Sequence, residues 1–247
     1  MDYRRPVPAE ESRRIAQVFG ALYLITFATS IPALWLYQPV LKDPAAYVAG
    51  AGHNNKILLG AFLELLLIIS NIGTATVVYP LLKRANEICA ISYVTARVME
   101  CTFILVGILT MLAVVTLQRN PSAGAGATLG SIAYTLAAIK DWTFLLGPGF
   151  VVGIGNGLLL GYLMYRSELV PRRMAVLGMI AGPVLIISGI AVMFGLAQQG
   201  GPLQGIATVP EAVWELFLGI YPLVWGFNAG AWILRGDGHV EQGAARI

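Results

Sequence analysis

Six apolar runs, each long enough to cross a lipid bilayer, constrain this chain more than any other feature of its sequence. A helix that spans the hydrocarbon core needs about 20 mostly apolar residues. The predicted spans are residues 15–36, 57–82, 90–117, 142–165, 174–196 and 211–234. Only 12% of the residues are charged, against about 25% in soluble domains. The sequence therefore predicts an all-α, polytopic membrane protein whose six transmembrane helices form one bundle.

Two long connections separate these runs. Residues 37–56 form a predicted loop that is broken by Pro39 and Pro44. In the second connection, Thr128–Ile139 is apolar but only about a dozen residues long, which is too short to span a bilayer. We expect it to lie along the membrane interface or to pack over the bundle. The first run is too long for the core of a signal peptide, so we predict an uncleaved first transmembrane helix.

The distribution of basic residues predicts on which side of the membrane the termini lie. Six spans place both termini on one side, where eleven Lys and Arg residues fall, against four on the other side. The eleven are Arg4, Arg5, Arg13, Arg14, Lys83, Arg84, Arg166, Arg172, Arg173, Arg235 and Arg246, and the four are Lys42, Lys56, Arg119 and Lys140. Cytoplasmic loops carry the excess of Lys and Arg. We therefore predict a protein of the cell (plasma) membrane, with a cytoplasmic N-terminal segment, 1–14, and a cytoplasmic tail, 235–247.

Two opposite charges lie inside the third run. Arg97 and Glu100 are three residues apart, so on a helix they share a face and can pair. A charged side chain at the centre of a bilayer costs about 2.5–3.5 kcal/mol on insertion scales. We therefore expect both side chains to point into the interior of the bundle, away from lipid.

Asn71 and Asn156 are predicted to lie at the same depth as this pair. With a rise of about 1.5 Å per residue, all four side chains lie roughly 13–18 Å above the cytoplasmic ends of their helices. They would form a lower polar layer near the middle of the membrane.

An acidic upper layer is predicted closer to the outside. On the same scale, Glu64 and Glu215 lie roughly 27–28 Å above the cytoplasmic ends of their helices. Asp141, just below the outer surface, and His53, in the first long loop, would form an outer mouth.

These residues are compatible with two roles. Glu64, Asn71, Arg97, Glu100, Asn156 and Glu215 are candidates for an internal network that binds a small molecule or an ion. The same residues can instead be structural, because an arginine–glutamate–asparagine cluster fixes the register of packed helices. For Glu64 and Glu215, simple solvation near the outer interface is a third reading.

The fourth run carries glycines at every fourth position, namely Gly149, Gly153, Gly157 and Gly161. Such a stripe lets another helix approach closely, and the similar pair Gly178 and Gly182 makes the fifth helix its natural partner. The stripe is also a candidate surface for a second copy of the chain or for another membrane protein. Pro148, next to Gly149, favours an ordinary kink over the broken helix of some transporters.

Several chemistries find no support in the sequence. Histidine occurs only at His53 and His239, and Cys89 and Cys101 have no metal-ligand or redox spacing. No serine is paired with a base in a recognisable motif. We predict no catalytic residues, no metal and no cofactor. The basic residues follow the membrane topology, which speaks against nucleic-acid binding and leaves the lipid bilayer as the expected partner.

Four segments carry a resemblance to a known family. They are 14–24, 63–65, Arg97 with Glu100, and 161–167 leading into Pro171 and Arg172. With these segments the chain resembles, over roughly residues 12–234, a bacterial integral-membrane family known as domain of unknown function 4386. The resemblance implies a bundle of six helices and implies no activity.

Three functions are compatible with these features. The first is a small transporter or a ligand-binding membrane protein that uses the polar interior. The second is a non-catalytic accessory or regulatory subunit that packs on another membrane protein. The third, an intramembrane enzyme using carboxylates, lacks a nucleophile–base pair or a metal set.

Overall fold

Six membrane-spanning helices make up most of the protein. The computed structural model describes residues 5–51, 53–120 and 126–235, and all regular structure in these ranges is helical. The helices that are long and apolar enough to cross a membrane are α1 (Ala9–Lys42), α2 (Asn54–Leu82), α3 (Glu87–Arg119), α4 (Thr128–Ser167), α5 (Arg172–Met193) and α6 (Pro202–Trp225). A short helix, α7 (Trp232–Arg235), follows. The prediction of an all-α, six-helix membrane protein is confirmed.

Both ends of the described chain meet at one face of the bundle. The backbone N–H of Val7 donates to the carbonyl of Leu234 at 2.9 Å, and Arg84, after α2, donates to the carbonyls of Arg5 and Ile233. We call this end the terminal face and the opposite end the far face. Residues 1–4 and 236–247 of the predicted N-terminal segment and tail lie outside the described residues. The cytoplasmic position of the terminal face stays a prediction.

The first predicted loop is largely helical. Helix α1 continues to Lys42, and the segments Pro44–Ala46 and Tyr47–Ala51 are also helical. Tyr37 is completely buried against α2, where a Cβ at Gly60 would lie 2.9 Å from its ring. Packing of this kind overrides the local signal of Pro39.

The sequence indicated that the segment Thr128–Ile139 is separate from the fourth helix, but in the structure the two are continuous. The segment forms the first part of α4, and its Leu129, Ala133 and Ala137 are buried. The charged pair Lys140–Asp141 was read as the boundary of a span, but Lys140 is only 3% exposed. Lys140 therefore does not belong to the basic residues of a surface loop.

Around Pro148, α4 is wound as a π-helix. The π-helical stretches are Leu145–Val151 and Gly153–Leu160. Proline lacks the N–H that an α-helix needs, and such widened turns occur often at functional sites. The helix continues through Pro148, so no broken helix forms at this point.

The sixth helix does not coincide with the predicted sixth span, 211–234. Helix α6 begins at Pro202 and ends at Trp225, and the next residue, Gly226, has a φ of 77° that does not continue the helix. The apolar residues that follow turn back into the core, with Asn228 N–H donating to the carbonyl of Leu169 at 2.9 Å. Glu215 thus lies ten residues before the end of α6 at Trp225, or about 15 Å. This depth matches that of Arg97, so Glu215 does not belong to an upper layer.

The predicted glycine stripe packs inside the chain. A Cβ at Gly153 would lie 2.7 Å from the carbonyl of Gly182, and a Cβ at Gly161 would lie 2.9 Å from the N of Met179. Helix α5 therefore packs against Gly153, Gly157 and Gly161, as the pattern of Gly178 and Gly182 indicated. The stripe's other predicted role, as a surface for a second copy of the chain or for another membrane protein, stays a prediction.

Candidate functional site

Arg97 and Glu100 lie in the interior and pair with each other. Arg97 Nη1 donates to Glu100 Oε2 at 2.7 Å, and Arg97 Nη2 donates to Asn71 Oδ1 at 2.8 Å. Asn71 Nδ2 closes the ring by donating to Glu100 Oε1 at 3.0 Å. All three side chains are buried, and the guanidinium lies 5.7 Å from the ring centroid of Tyr23. The structure brings these three predicted residues together, and their role in binding stays a prediction.

A second ion pair lies nearer the far face. Lys140 Nζ donates to Glu64 Oε1 at 2.6 Å and to Glu64 Oε2 at 2.8 Å. Tyr37 Oη also donates to Glu64 Oε2, at 2.9 Å. Gly107 makes room for the lysine, because a Cβ there would lie 2.9 Å from Lys140 Cδ. Glu64 is therefore paired and buried, so it does not belong to a solvated acidic layer.

The sequence contained a signal for Lys140 that the prediction did not use. If Thr128–Ile139 continues as one helix with the run that follows it, the lysine falls within an apolar helix. A buried lysine needs a carboxylate partner, and Glu64 lies at a similar predicted depth.

Asn156 and Glu215 form a third contact. Asn156 Nδ2 donates to Glu215 Oε1, and Trp214 Nε1 donates to the backbone carbonyl of Asn156 at 3.0 Å. Asn156 Oδ1 is buried and has no hydrogen-bond partner in the described ranges. The two predicted residues are brought together, now at mid-depth.

Glu211 is a further acidic residue that the site prediction missed. It lies one turn before Glu215 on α6 and is only 2% exposed. Neither of its carboxylate oxygens has a hydrogen-bond partner among the residues that the structure describes. Gly157 leaves space for it, because a Cβ at Gly157 would lie 3.0 Å from Glu211 Oε2. The i,i+4 spacing of Glu211 and Glu215 was the available sequence signal.

These groups surround one cavity of about 280 Å³. All six long helices contribute to its wall. Its ionisable and amide lining residues are Glu64, Asn71, Arg97, Glu100, Glu211 and Glu215. Hydroxyl groups come from Thr26, Ser30 and Thr208, and most of the remaining wall is aliphatic or aromatic. Asn156 does not line the cavity itself but holds Glu215, which does.

The cavity reaches the protein surface between α1 and α6. Ile31 on α1 and Thr208 on α6 both line it and both are exposed. Toward the terminal face the same helices are in tight contact, since a Cβ at Gly20 would lie 2.8 Å from the N of Leu223. Access is therefore from the far half of the bundle.

The predicted outer mouth is not part of this cavity. His53 is an exposed residue directly before α2, and Asp141 is half-buried beside Gln199, whose Nε2 donates to its backbone carbonyl at 2.6 Å. Neither residue lines the cavity. The reason is that access runs between α1 and α6, whereas His53 precedes α2 and Asp141 lies on α4.

Comparison with known protein families gives a match. The sequence model of a family described as "Domain of unknown function (DUF4386)" matches residues 18–226. This chain belongs to that family. The predicted resemblance is thereby confirmed. No curated protein and no solved structure matches the chain.

The part of the chain that matches the DUF4386 family contains the whole cavity. The range 18–226 runs from the first half of α1 to the end of α6. The cavity-lining residues lie between Thr26 and Glu215. The candidate site thus belongs to the family domain and not to the ends of the chain.

Proposed function

We propose that this member of the DUF4386 family binds a small molecule or an ion in the cavity between its six membrane helices, as a small transporter or a ligand-binding membrane protein. The observation that carries the proposal is the cavity itself, which joins Glu64 to Arg97 within the bundle. Its volume of about 280 Å³ is close to the lower end of ordinary ligand pockets, at about 300 Å³.

A purely structural network would need no such space. Polar groups that only fix helix register are best placed in direct contact, because interiors are close-packed and voids larger than a water are few. Here the charges of Arg97 and Glu100 pair with each other, and so do those of Lys140 and Glu64. The space between them has room for several waters, each of which takes about 30 Å³ in the liquid. This arrangement supports a site that accepts a guest.

The shape of the cavity supports access from the far half of the bundle. The opening between α1 and α6 lies in the far half, whereas the contact of Gly20 with Gly219 and Leu223 closes the terminal half. In a transporter this contact would have to separate for release at the terminal face. A ligand-binding protein would keep it closed.

Filling the cavity tests the proposal. Ala212 lines the cavity, and its neighbour Val213 is 47% exposed on the lipid-facing side of α6. The purified full-length protein in lipid nanodiscs is screened by thermal shift against small amines, acids, alcohols and inorganic salts. We expect at least one of these solutes to stabilise the wild type and Val213→Phe but not Ala212→Phe.

Two results would contradict the proposal. One is that no solute of any charge stabilises the wild type. The other is that the stabilisation survives in Ala212→Phe while that variant keeps the unliganded melting temperature of Val213→Phe, because the guest would then bind elsewhere.

A further inference from the structure

We propose that the guest of this cavity is a small organic cation, an ammonium ion with an apolar group, and that the carboxylate of Glu211 binds its positive charge. This inference rests on the proposed function and adds the chemical class of the ligand.

Glu211 is the acidic residue of the cavity that the described residues leave without a partner. Glu64 is held by Lys140, Glu100 by Arg97 and Glu215 by Asn156. Both oxygens of Glu211 are buried and accept no hydrogen bond within the described ranges. A buried charge without a partner is strongly unfavourable. A residue of this kind at a cavity wall is therefore suited to a ligand that supplies the missing positive charge.

The charge balance around the cavity points in the same direction. Four carboxylates line it, and the two cations that face them, Arg97 and Lys140, are each bound to one carboxylate. Glu211 and Glu215 lie on the same face of α6 and form no ion pair with any residue that the structure describes. An anionic guest would be repelled here, and a neutral guest would supply at most a hydrogen bond to Glu211 and no positive charge.

The rest of the wall favours an organic cation over a bare metal ion. Calcium, for example, takes six to eight oxygen ligands, and the described residues contain no group of three or more His, Cys, Asp or Glu side chains arranged to hold a metal. Most of the lining is apolar, with Phe27, Leu67 and Phe144 among its side chains. Such a wall matches the hydrocarbon part of an amphipathic ammonium ion.

The entrance is also suited to an amphipathic guest. Ile31, at the edge on α1, is 50% exposed, and Thr208 supplies a hydroxyl on the opposite edge. A molecule with one polar and one apolar end can pass this edge with its apolar end toward lipid.

Matched probes of three charges test the inference. Benzylammonium, benzyl alcohol and benzoate have nearly the same shape and differ mainly in the charge of one group; methylammonium and butylammonium extend the ammonium series. Binding is measured by calorimetry and by thermal shift on the full-length protein in nanodiscs. The variants are Glu211→Gln, which removes the charge at nearly constant volume, and Glu168→Gln, a control on the terminal face outside the cavity, in an exposed pair with Arg172.

We expect at least one ammonium ion to bind the wild type and Glu168→Gln equally, and to bind Glu211→Gln at least tenfold more weakly. Benzyl alcohol should bind the wild type at least tenfold more weakly than benzylammonium, and benzoate should not bind. Glu211→Asp, which keeps the charge and retracts it by one methylene, should retain more ammonium binding than Glu211→Gln. Glu211→Gln should fold, since it removes an unpaired charge.

Four outcomes would overturn the inference. They are unchanged ammonium binding in Glu211→Gln, binding of benzoate or benzyl alcohol as tight as that of benzylammonium, no binding of any ammonium ion, and Glu211-dependent stabilisation by sodium or potassium alone. A result that rules out cationic ligands does not by itself contradict the proposed function. If a neutral or acidic solute binds the wild type and fails to bind Ala212→Phe, the cavity is still a ligand site.

Discussion

The two halves of the bundle are built from the same helices but differ in how closely those helices pack. In the terminal half, α1 and α6 touch at Gly20 and Gly219, and buried aromatic residues such as Phe19 and Tyr23 fill the core. In the far half, α1 and α6 lie on either side of a cavity whose wall carries Glu64 and Glu211. The difference indicates that α1 and α6 are held together by direct packing in the terminal half, whereas in the far half a cavity lined by ionisable groups separates them. The other helices of the far half still pack through an apolar cluster that includes Tyr37, Met111 and Ala133.

The boundary between the two halves is where a substitution should have its largest effect. Arg97→Ala leaves Glu100 and Asn71 buried without their partner, and it removes the contact with Tyr23. Breaking a buried ion pair from one side costs about 3–5 kcal/mol, and we expect the upper end of that range. The measurement is the midpoint of unfolding by denaturing detergent, with Arg172→Ala as the exposed control. If Arg97→Ala destabilises the protein no more than Arg172→Ala does, the Arg97–Glu100 pair does not contribute to the stability of the bundle.

The ion pair of the far half should cost somewhat less to break. Lys140→Met leaves Tyr37 as the one remaining donor to Glu64 among the described residues, and we expect a loss of about 3 kcal/mol. The double variant Lys140→Met, Glu64→Gln removes both charges and should recover most of the stability. If the double variant is as unstable as the single one, the lysine contributes through packing and not through its charge.

A glycine in the terminal half tests how closely α1 and α6 pack there. Gly20→Leu would place a Cβ 2.8 Å from the N of Leu223, and overpacking of this kind costs about 1–3 kcal/mol. Gly205→Leu is the matched control, because no atom lies within 4 Å of the Cβ that it would add. We expect the control to be neutral or slightly stabilised. Equal effects of both substitutions would mean that α1 and α6 do not touch at Gly20.

The smallest effect is expected at Glu211. Because this carboxylate has no hydrogen-bond partner among the described residues, Glu211→Gln removes no ion pair. We expect the free energy of unfolding of the unliganded variant to lie within about 0.5 kcal/mol of the wild-type value, or above it, in line with changes away from paired groups. A loss similar to that of Lys140→Met would reveal a structural partner for Glu211.

The sequence predicted the six helices and one of the ion pairs for simple physical reasons. Long apolar runs have no other stable arrangement in a bilayer, and the spacing of Arg97 and Glu100 puts both on one face of a helix. The position of the glycine stripe against α5 also followed from spacing, since small residues mark close helix contacts.

The rest depended on where helices begin and end, which hydropathy does not resolve. The apolar run that includes α6 continues through Gly226 to Leu234, although the helix stops at Trp225 and the chain turns back into the core. Because the depth of Glu215 was counted from Leu234 and not from Trp225, Glu215 was predicted to lie too far from the terminal face. In α4, the charged pair Lys140–Asp141 looked like a boundary, so the partner of Glu64 was assigned to a surface loop. Contacts between distant helices decided both cases.

We infer that the cavity lined by Glu64, Arg97 and Glu211 is open to solutes. The most direct measurement uses Ala212→Cys and Val213→Cys in a chain whose Cys89 and Cys101 are replaced by alanine. Both variants are treated in nanodiscs with a membrane-impermeant, positively charged thiol reagent, with and without benzylammonium. We predict that the cysteine at position 212 reacts and that benzylammonium slows this reaction. Benzylammonium should not change the reaction rate of the cysteine at position 213. A cysteine at position 212 that stays unreactive in the folded protein would contradict the claim, because the interior would then be closed to solutes.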